Sequence, residues 1–197
     1  MRSVTGLRVA KEKPKSPGVN PELEPLRQAM LGKTAVIVSV ERDDEILACV
    51  DAFATHGIKP VLFGAGKASE VADKIRGRIA GVLPSLQVIE IGGELGTRER
   101  NHYAELQAAG IPVAFHSEAE EGAADLPLIA AWAQAHGLSP DGALRALTAD
   151  AAKMLAIDHR VGRLAQGLDA DVLLLDGSPL LPSTSVQRVW VAGKELR

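Results

Sequence analysis

The sequence predicts an α/β fold, with a parallel sheet built from crossover helices and a small β ribbon near the C-terminus. Three observations lead there. Short β-branched runs alternate with helical stretches between residues 21 and 117. The first run, TAVIVSV (34–40), is apolar without alternation, as in a strand covered on both faces. After residue 160 the pattern changes to two β runs, DADVLLLDG and SVQRVWVAGKEL.

Taken in order, residues 1–20 are polar and basic, with Arg2, Arg8, Lys11, Lys13 and Lys15 against Glu12. Pro14, Pro17 and Gly18 break regular structure, so a flexible basic arm is expected. PELEPLRQAML predicts a short helix stopped near Gly32. After the first strand, DDEILACVDAFATHG places Ile46, Leu47, Cys49, Val50 and Phe53 at helical spacing, with Asp43 or Asp44 as cap and Gly57 at the end. KPVLFGAG (59–66) is a second strand, KASEVADKIRG a helix, and RIAGVL (78–83) a third strand. LQVIEI (86–91) is a further strand or an edge extension. TRERNHYAELQAAG (97–110) predicts a helix capped by Thr97, which would leave His102 in solvent, and IPVAFHS (111–117) predicts the next strand. LPLIAAWAQAHG and LSPDGALRALTADAAKMLAI are helical, the second opened by Ser139 as cap and Pro140 in the first turn. The domain reading is an arm over 1–20, an α/β unit over 21–160 and a β segment over 161–197.

Composition excludes several classes of function. A net charge of −3 and 3% aromatic residues argue against nucleic-acid binding. No apolar run reaches the roughly 18 residues of a membrane span, and no secretory leader is expected, so a cytoplasmic protein is anticipated. One cysteine, Cys49, excludes an intrachain disulfide. His56, His102, His116, His136 and His159 form no H-E-x-x-H or other compact ligand pair. His56 and His136 each precede a glycine and suit helix C-termini. GAGKAS lacks the spacing of a phosphate loop, and Asp169, Asp171 and Asp176 read as turn and strand-end residues.

GLSPDGALRALTADAAKMLAIDHRVGRLAQGLDADVLLLDGSPL (137–180) resembles the C-terminal segment of the amidohydrolase superfamily, in its imidazolonepropionase-like branch. Its motifs follow in order: the Ser-Pro-capped helix, Ala-Leu-x-Ala-Leu-Thr, Val-Gly-x-Leu, Gly-x-Asp-Ala-Asp and Asp-Gly-x-Pro-Leu. TAVIVSVERDDEI, VLFGAGKASEVADKI and GIPVAFHSEAE are similar to the family's strands five, six and eight, so the likeness covers about residues 21–195. It implies a partial (β/α) barrel, about strands five to eight of a TIM-type barrel that needs about 250 residues when complete. The resemblance implies one or two divalent metals, zinc or another, activating water against amide or lactam-type carbon–nitrogen bonds. The first four strands, with the His-x-His pair and the bridging lysine, have no counterpart here. The strand-five histidine falls at Ser39, the strand-six histidine at about Gly64 to Gly66, and the strand-eight aspartate at Glu118. Serine and glycine offer no basic nitrogen to zinc.

Glu118 and His116 are therefore the candidate catalytic residues, in a pocket with Ser39, Glu41, Arg42, Gly64 and Gly66, and no metal ligand set is assigned. The expected function is that of an amidohydrolase relative without a metal centre, non-catalytic as an isolated chain and serving as a scaffold or binding protein. The alternative is a metal-dependent hydrolase completed by a partner chain. Half a barrel leaves open strand edges, so a homo-oligomer or a complementary half-barrel chain is the expected partner.

Overall fold

β1 (Ile37–Val40), β2 (Val61–Gly64) and β3 (Gly81–Pro84) form a parallel sheet in the order β1-β2-β3 in the computed structural model, which describes residues 18, 20–85, 89–92, 96–117 and 120–196. The register sets Ser39, Phe63 and Leu83 side by side. Neighbouring strands are joined through α2 (Asp43–Ala54) and α3 (Ala72–Ile75), the crossover arrangement that parallel pairing requires. Of the arm predicted over 1–20, residues 1–17 and 19 lie outside the described residues.

Side chains alternate between the two faces of the sheet. Leu62 and Val82 are fully buried in the main core, with Ile46 and Val50 of α2, Ile75 of α3 and Leu106. The other face holds a smaller cluster of Val61, Ala114 and Met154. Along β1 burial alternates instead of being continuous. Ile37 and Ser39 are exposed, while Val38 and Val40 are half-buried. The expectation of a strand covered on both faces fails there because β1 lies at the sheet edge, with one face open.

Several predicted elements are altered by local chemistry. α1 (Glu24–Met30) follows a 3-10 turn (Pro21–Leu23), and the chain turns at Gly32 with φ +69°. α2 starts at Asp43, and this start is secured by Glu45, whose carboxylate accepts from the Glu41 and Arg42 amides at 3.1 Å each. These amide hydrogen bonds hold the Glu45 carboxyl below its ordinary range. α3 is shorter than predicted because residues 65–70 close i,i+3 turns. LQVIEI supplies β4 (Ile89–Gly92), paired antiparallel with β5 (Gly96–Glu99). β5 occupies the predicted start of the helix at Thr97, so α4 (His102–Ala108) begins later. Asn101 caps it, accepting from the Ala104 amide at 3.2 Å.

The strand predicted over 111–117 is reduced to one parallel bridge, Val113 with Val82. Pro112 has no amide hydrogen, and the Phe115 amide donates to the Ala146 carbonyl at 3.3 Å. That bond turns this end of the sheet toward the C-terminal helices.

α5 (Leu126–Ala135) ends at His136, whose ring stacks on Trp132 at 4.3 Å with Nδ1 2.7 Å from the Trp132 carbonyl. The last helical stretch splits into α6 (Pro140–Leu147) and α7 (Ala149–Met154). At the break the Thr148 hydroxyl donates to the Leu144 carbonyl at 2.7 Å, displacing the helical bond that its own amide would make. Ser139 caps α6 as predicted, accepting from the Gly142 amide at 3.0 Å. Ser139→Ala is expected to cost about 1 kcal/mol in a denaturant titration.

β6 (Val172–Leu175), β7 (Val186–Val191) and a third short strand, β8 (Lys194–Glu195), form an antiparallel sheet. The aspartates of the C-terminal motif brace it. Asp176 accepts from the Ser185 amide at 2.7 Å and from Gln187 at 3.0 Å, and Asp171 accepts from the Ala192 amide at 2.7 Å. Asp169 pairs with Arg160 at 2.7 Å. Leu180, at the end of that motif, is 6% exposed and joins the main core. Among the described residues no helix is long and apolar enough to cross a membrane.

Candidate functional site

The C-terminal ends of β1 to β3 are where ligands bind in parallel α/β sheets, and most of the predicted residues lie there. Glu41 follows β1 and reaches across to the turn after β2. Its Oε2 accepts from the Gly66 amide at 3.3 Å. The turn is tight, with φ +78° at Gly64 and +50° at Ala65. A Cβ on Gly64 would stand 2.8 Å from Glu41 Oε2, and one on Gly66 would stand 3.4 Å from Oε1. Glu41, Gly64 and Gly66 are thus brought together, and the carboxylate fills the space that a side chain at 64 would need.

The other predicted residues part from this cluster. Ser39 is exposed on β1. Arg42 is directed to the start of its own helix, where Nε donates to Asp44 Oδ1 at 3.0 Å and a second guanidinium bond reaches Oδ2. His116 packs against Phe63 in a tilted arrangement, with ring centres 4.6 Å apart and planes inclined at 49°. Its Nε2 lies 3.0 Å from the Pro84 carbonyl. A carbonyl oxygen only accepts, so Nε2 carries the proton and the ring's lone pair lies on Nδ1. The Tyr103 hydroxyl donates to the same carbonyl at 3.0 Å. Glu118 lies outside the described residues.

His102, predicted to be in solvent, is 7% exposed. Its Cε1 comes within 3.8 Å of where a Cβ on Gly66 would stand. The signal for this burial was Asn101: once it caps the helix, positions 102, 103 and 106 share the inward face. Asn101 Nδ2 also donates to the carbonyls of Ala133, at 2.7 Å, and His136, at 3.1 Å, fixing α4 on α5.

Beside this cluster Arg100 links the turn before α3 to α4. Its Nε lies 3.0 and 2.9 Å from the two Glu105 oxygens, and its Nη2 donates to the Ser69 hydroxyl at 2.7 Å. Burial alone would raise the Glu105 carboxyl. The Arg100 guanidinium and the Ser69 hydroxyl outweigh it and hold the group below its ordinary range.

A divalent metal of the kind implied by the likeness does not fit these residues. Ser39 has no basic nitrogen and Gly64 has no side chain, at the two positions where the likeness expects imidazoles. Among the described residues no group of three or more His, Cys, Asp or Glu side chains is placed to hold a metal ion.

Comparison with known proteins places this architecture. The chain is similar in structure to an amidohydrolase from Thermotoga maritima MSB8, with a TM-score of 0.76 at 20% identity, over 93% of this chain and 48% of that one. It is also similar to a prolidase solved with N-methylphosphonate-L-proline, with a TM-score of 0.62 at 21% identity, over 87% of this chain and 47% of that one. The chain therefore spans about half the length of these solved structures. In sequence, 58 residues are 41% identical to Adenine deaminase 2 from Jannaschia sp. (strain CCS1), which is 29% of this chain and 9% of that protein. The pattern of the amidohydrolase family matches residues 95–196, from the β4–β5 hairpin through the C-terminal sheet and over more than half of the sequence. The chain belongs to the amidohydrolase family.

Proposed function

We propose that this chain is a non-hydrolytic member of the family, a partial barrel that serves as a binding or scaffolding protein. The observation that carries this reading is the Glu41 carboxylate seated over Gly64, 2.8 Å from the missing Cβ. The family likeness puts a metal-binding histidine at about this point. Here a carboxylate hydrogen-bonded to the Gly66 amide takes up the volume instead. The backbone at Gly64, with φ +78°, also disfavours any L side chain there. Ser39 supports the same reading, because a hydroxyl stands where a second imidazole is expected.

The test is elemental mass spectrometry for zinc, iron and manganese on protein purified without chelator or histidine tag. It is paired with a hydrolysis assay on amide and lactam substrates in added zinc. The expected result is metal near zero per chain and no hydrolysis above buffer. Near-stoichiometric metal with hydrolysis would overturn the proposal. It would favour a metal-dependent carbon–nitrogen hydrolase completed by a partner chain.

A further inference from the structure

We propose that the edge of β1 away from β2, which pairs with no strand among the described residues, is a self-association surface, on which two copies of the chain pair antiparallel about a two-fold axis at Val38. The inference deepens the binding role proposed above. It starts from a difference between the two ends of the sheet. At the Val113 end the Phe115 amide donates to the Ala146 carbonyl, and Val113, Ala114 and Phe115 are all buried. That edge is already covered by the chain's own C-terminal helices. A partner closing a ring would have to dislodge them.

β1 differs in every respect. Ile37 is 49% exposed and Ser39 is exposed. The carbonyls of Val36 and Val40 accept from the Val61 and Ala65 amides of the β2 side. Backbone groups alternate along a strand, so the N–H and C=O groups of Ile37 and Ser39 point away from β2. A sheet with one open edge is satisfied by a second copy of that edge. The contact uses the same residues on both sides and therefore stops at a dimer.

The outward residues set the register. Ile37 faces Ser39 of the second copy, Ser39 faces its Ile37, and the two Val38 residues meet at the axis as a pair without mutual backbone hydrogen bonds. Charge favours the antiparallel direction. Lys33 lies before β1, while Glu41, Asp43, Asp44 and Glu45 crowd its other end with only Arg42 against them. Antiparallel pairing brings Lys33 of each copy to the acidic end of the other, whereas parallel pairing would set like against like.

The test is sedimentation velocity on the full chain over a wide concentration range, with two variants. Ser39→Pro removes an outward amide and keeps the bonds to β2, a change that edge strands tolerate. It is expected to weaken the dimer by about tenfold or more. Val38→Cys, in a Cys49→Ser background, places two thiols across the axis at a Cα spacing of about 4.5 Å, within disulfide range. Oxidation is expected to trap a covalent dimer. A chain that stays monomeric at every concentration overturns the inference. So does a dimer that Ser39→Pro leaves intact and Val38→Cys does not trap, because it then forms elsewhere. If Ser39→Pro does not fold, the Val38→Cys trap alone decides. These outcomes are independent of metal content, so this surface and the non-hydrolytic reading stand or fall separately.

Discussion

Gly162→Ala is expected to destabilise the chain by about 3 kcal/mol, which for a protein of this size lowers Tm by roughly 6–12 °C. Gly162 is the glycine of the Val-Gly-x-Leu motif, and its φ is +99°, outside the region where an L residue is comfortable. Space is lacking as well. A Cβ would stand 2.5 Å from the Ala152 Cβ, 3.1 Å from the Thr148 carbonyl oxygen and 3.3 Å from the Ala149 Cα, all parts of α7 and its cap. None of these is the mobile end of a long side chain, so the backbone itself would have to move. Gly167→Ala separates the two causes. It has a similar φ, +88°, but nothing lies within 4 Å of the added carbon. It should therefore show the backbone strain alone, about 1–2 kcal/mol. Thermal unfolding followed by circular dichroism measures both. Equal losses would show that the approach to α7 contributes nothing.

Arg100→Ala should cost about 2–3 kcal/mol, well above an exposed ion pair. The Arg100 side chain is 10% exposed and Glu105 is 31% exposed. Removing the cation leaves a carboxylate partly buried beside Ser69. Fully buried pairs broken in this way cost about 3–5 kcal/mol, and the residual solvent access of Glu105 reduces the figure. The pair also ties the turn before α3 to α4, so its loss loosens the wall beside the Glu41–Gly66 cluster. A pH dependence follows from the depressed Glu105 carboxyl. A group whose pKa is lower in the folded chain adds stability above its unfolded value, about 4.3, and loses it as pH falls through the folded value. The acid limb of the stability profile should therefore flatten in Glu105→Gln, as read by urea titrations at stepped pH. An unchanged acid limb would show that this carboxyl has no share in acid unfolding.

The amidohydrolase C-terminal pattern was legible because it consists of residues with strong local rules. Ser139 and Pro140 start a helix by capping and by a preset φ. The glycines of Val-Gly and Asp-Gly sit where close approach excludes a side chain: Gly162 against Ala152, and Gly177 with a would-be Cβ 2.7 Å from Thr184 Oγ1. The alternation of Val61 to Gly64 and Gly81 to Pro84 with helices was equally readable, since each run is apolar and bounded by turn residues. The burial of His102 was misread because the cap was placed at Thr97, which belongs to β5. Both Thr and Asn can cap a helix, and only the pairing of β4 with β5 decides between them. The strand at 111–117 was overestimated for a related reason. Its apolar run suits a strand, yet Phe115 finds its hydrogen-bond partner on α6, far along the chain.

By itself, then, the sequence determined the α/β class, the alternation of strands and helices, the capped helix and the family likeness. Each of these depends on neighbours within a few residues or on a motif read in order. It also brought Glu41, Gly64 and Gly66 into one candidate cluster, because all three stand at strand ends. Only the tertiary structure decided how that cluster is built. The Glu41 carboxylate crosses 25 positions of chain to reach the Gly66 amide and takes the volume beside Gly64, while His116 turns to Pro84. The physical reason is that hydrogen bonding and exclusion of volume act through space. A residue's type sets what it can bind, and the packing of the strands sets which partner it meets.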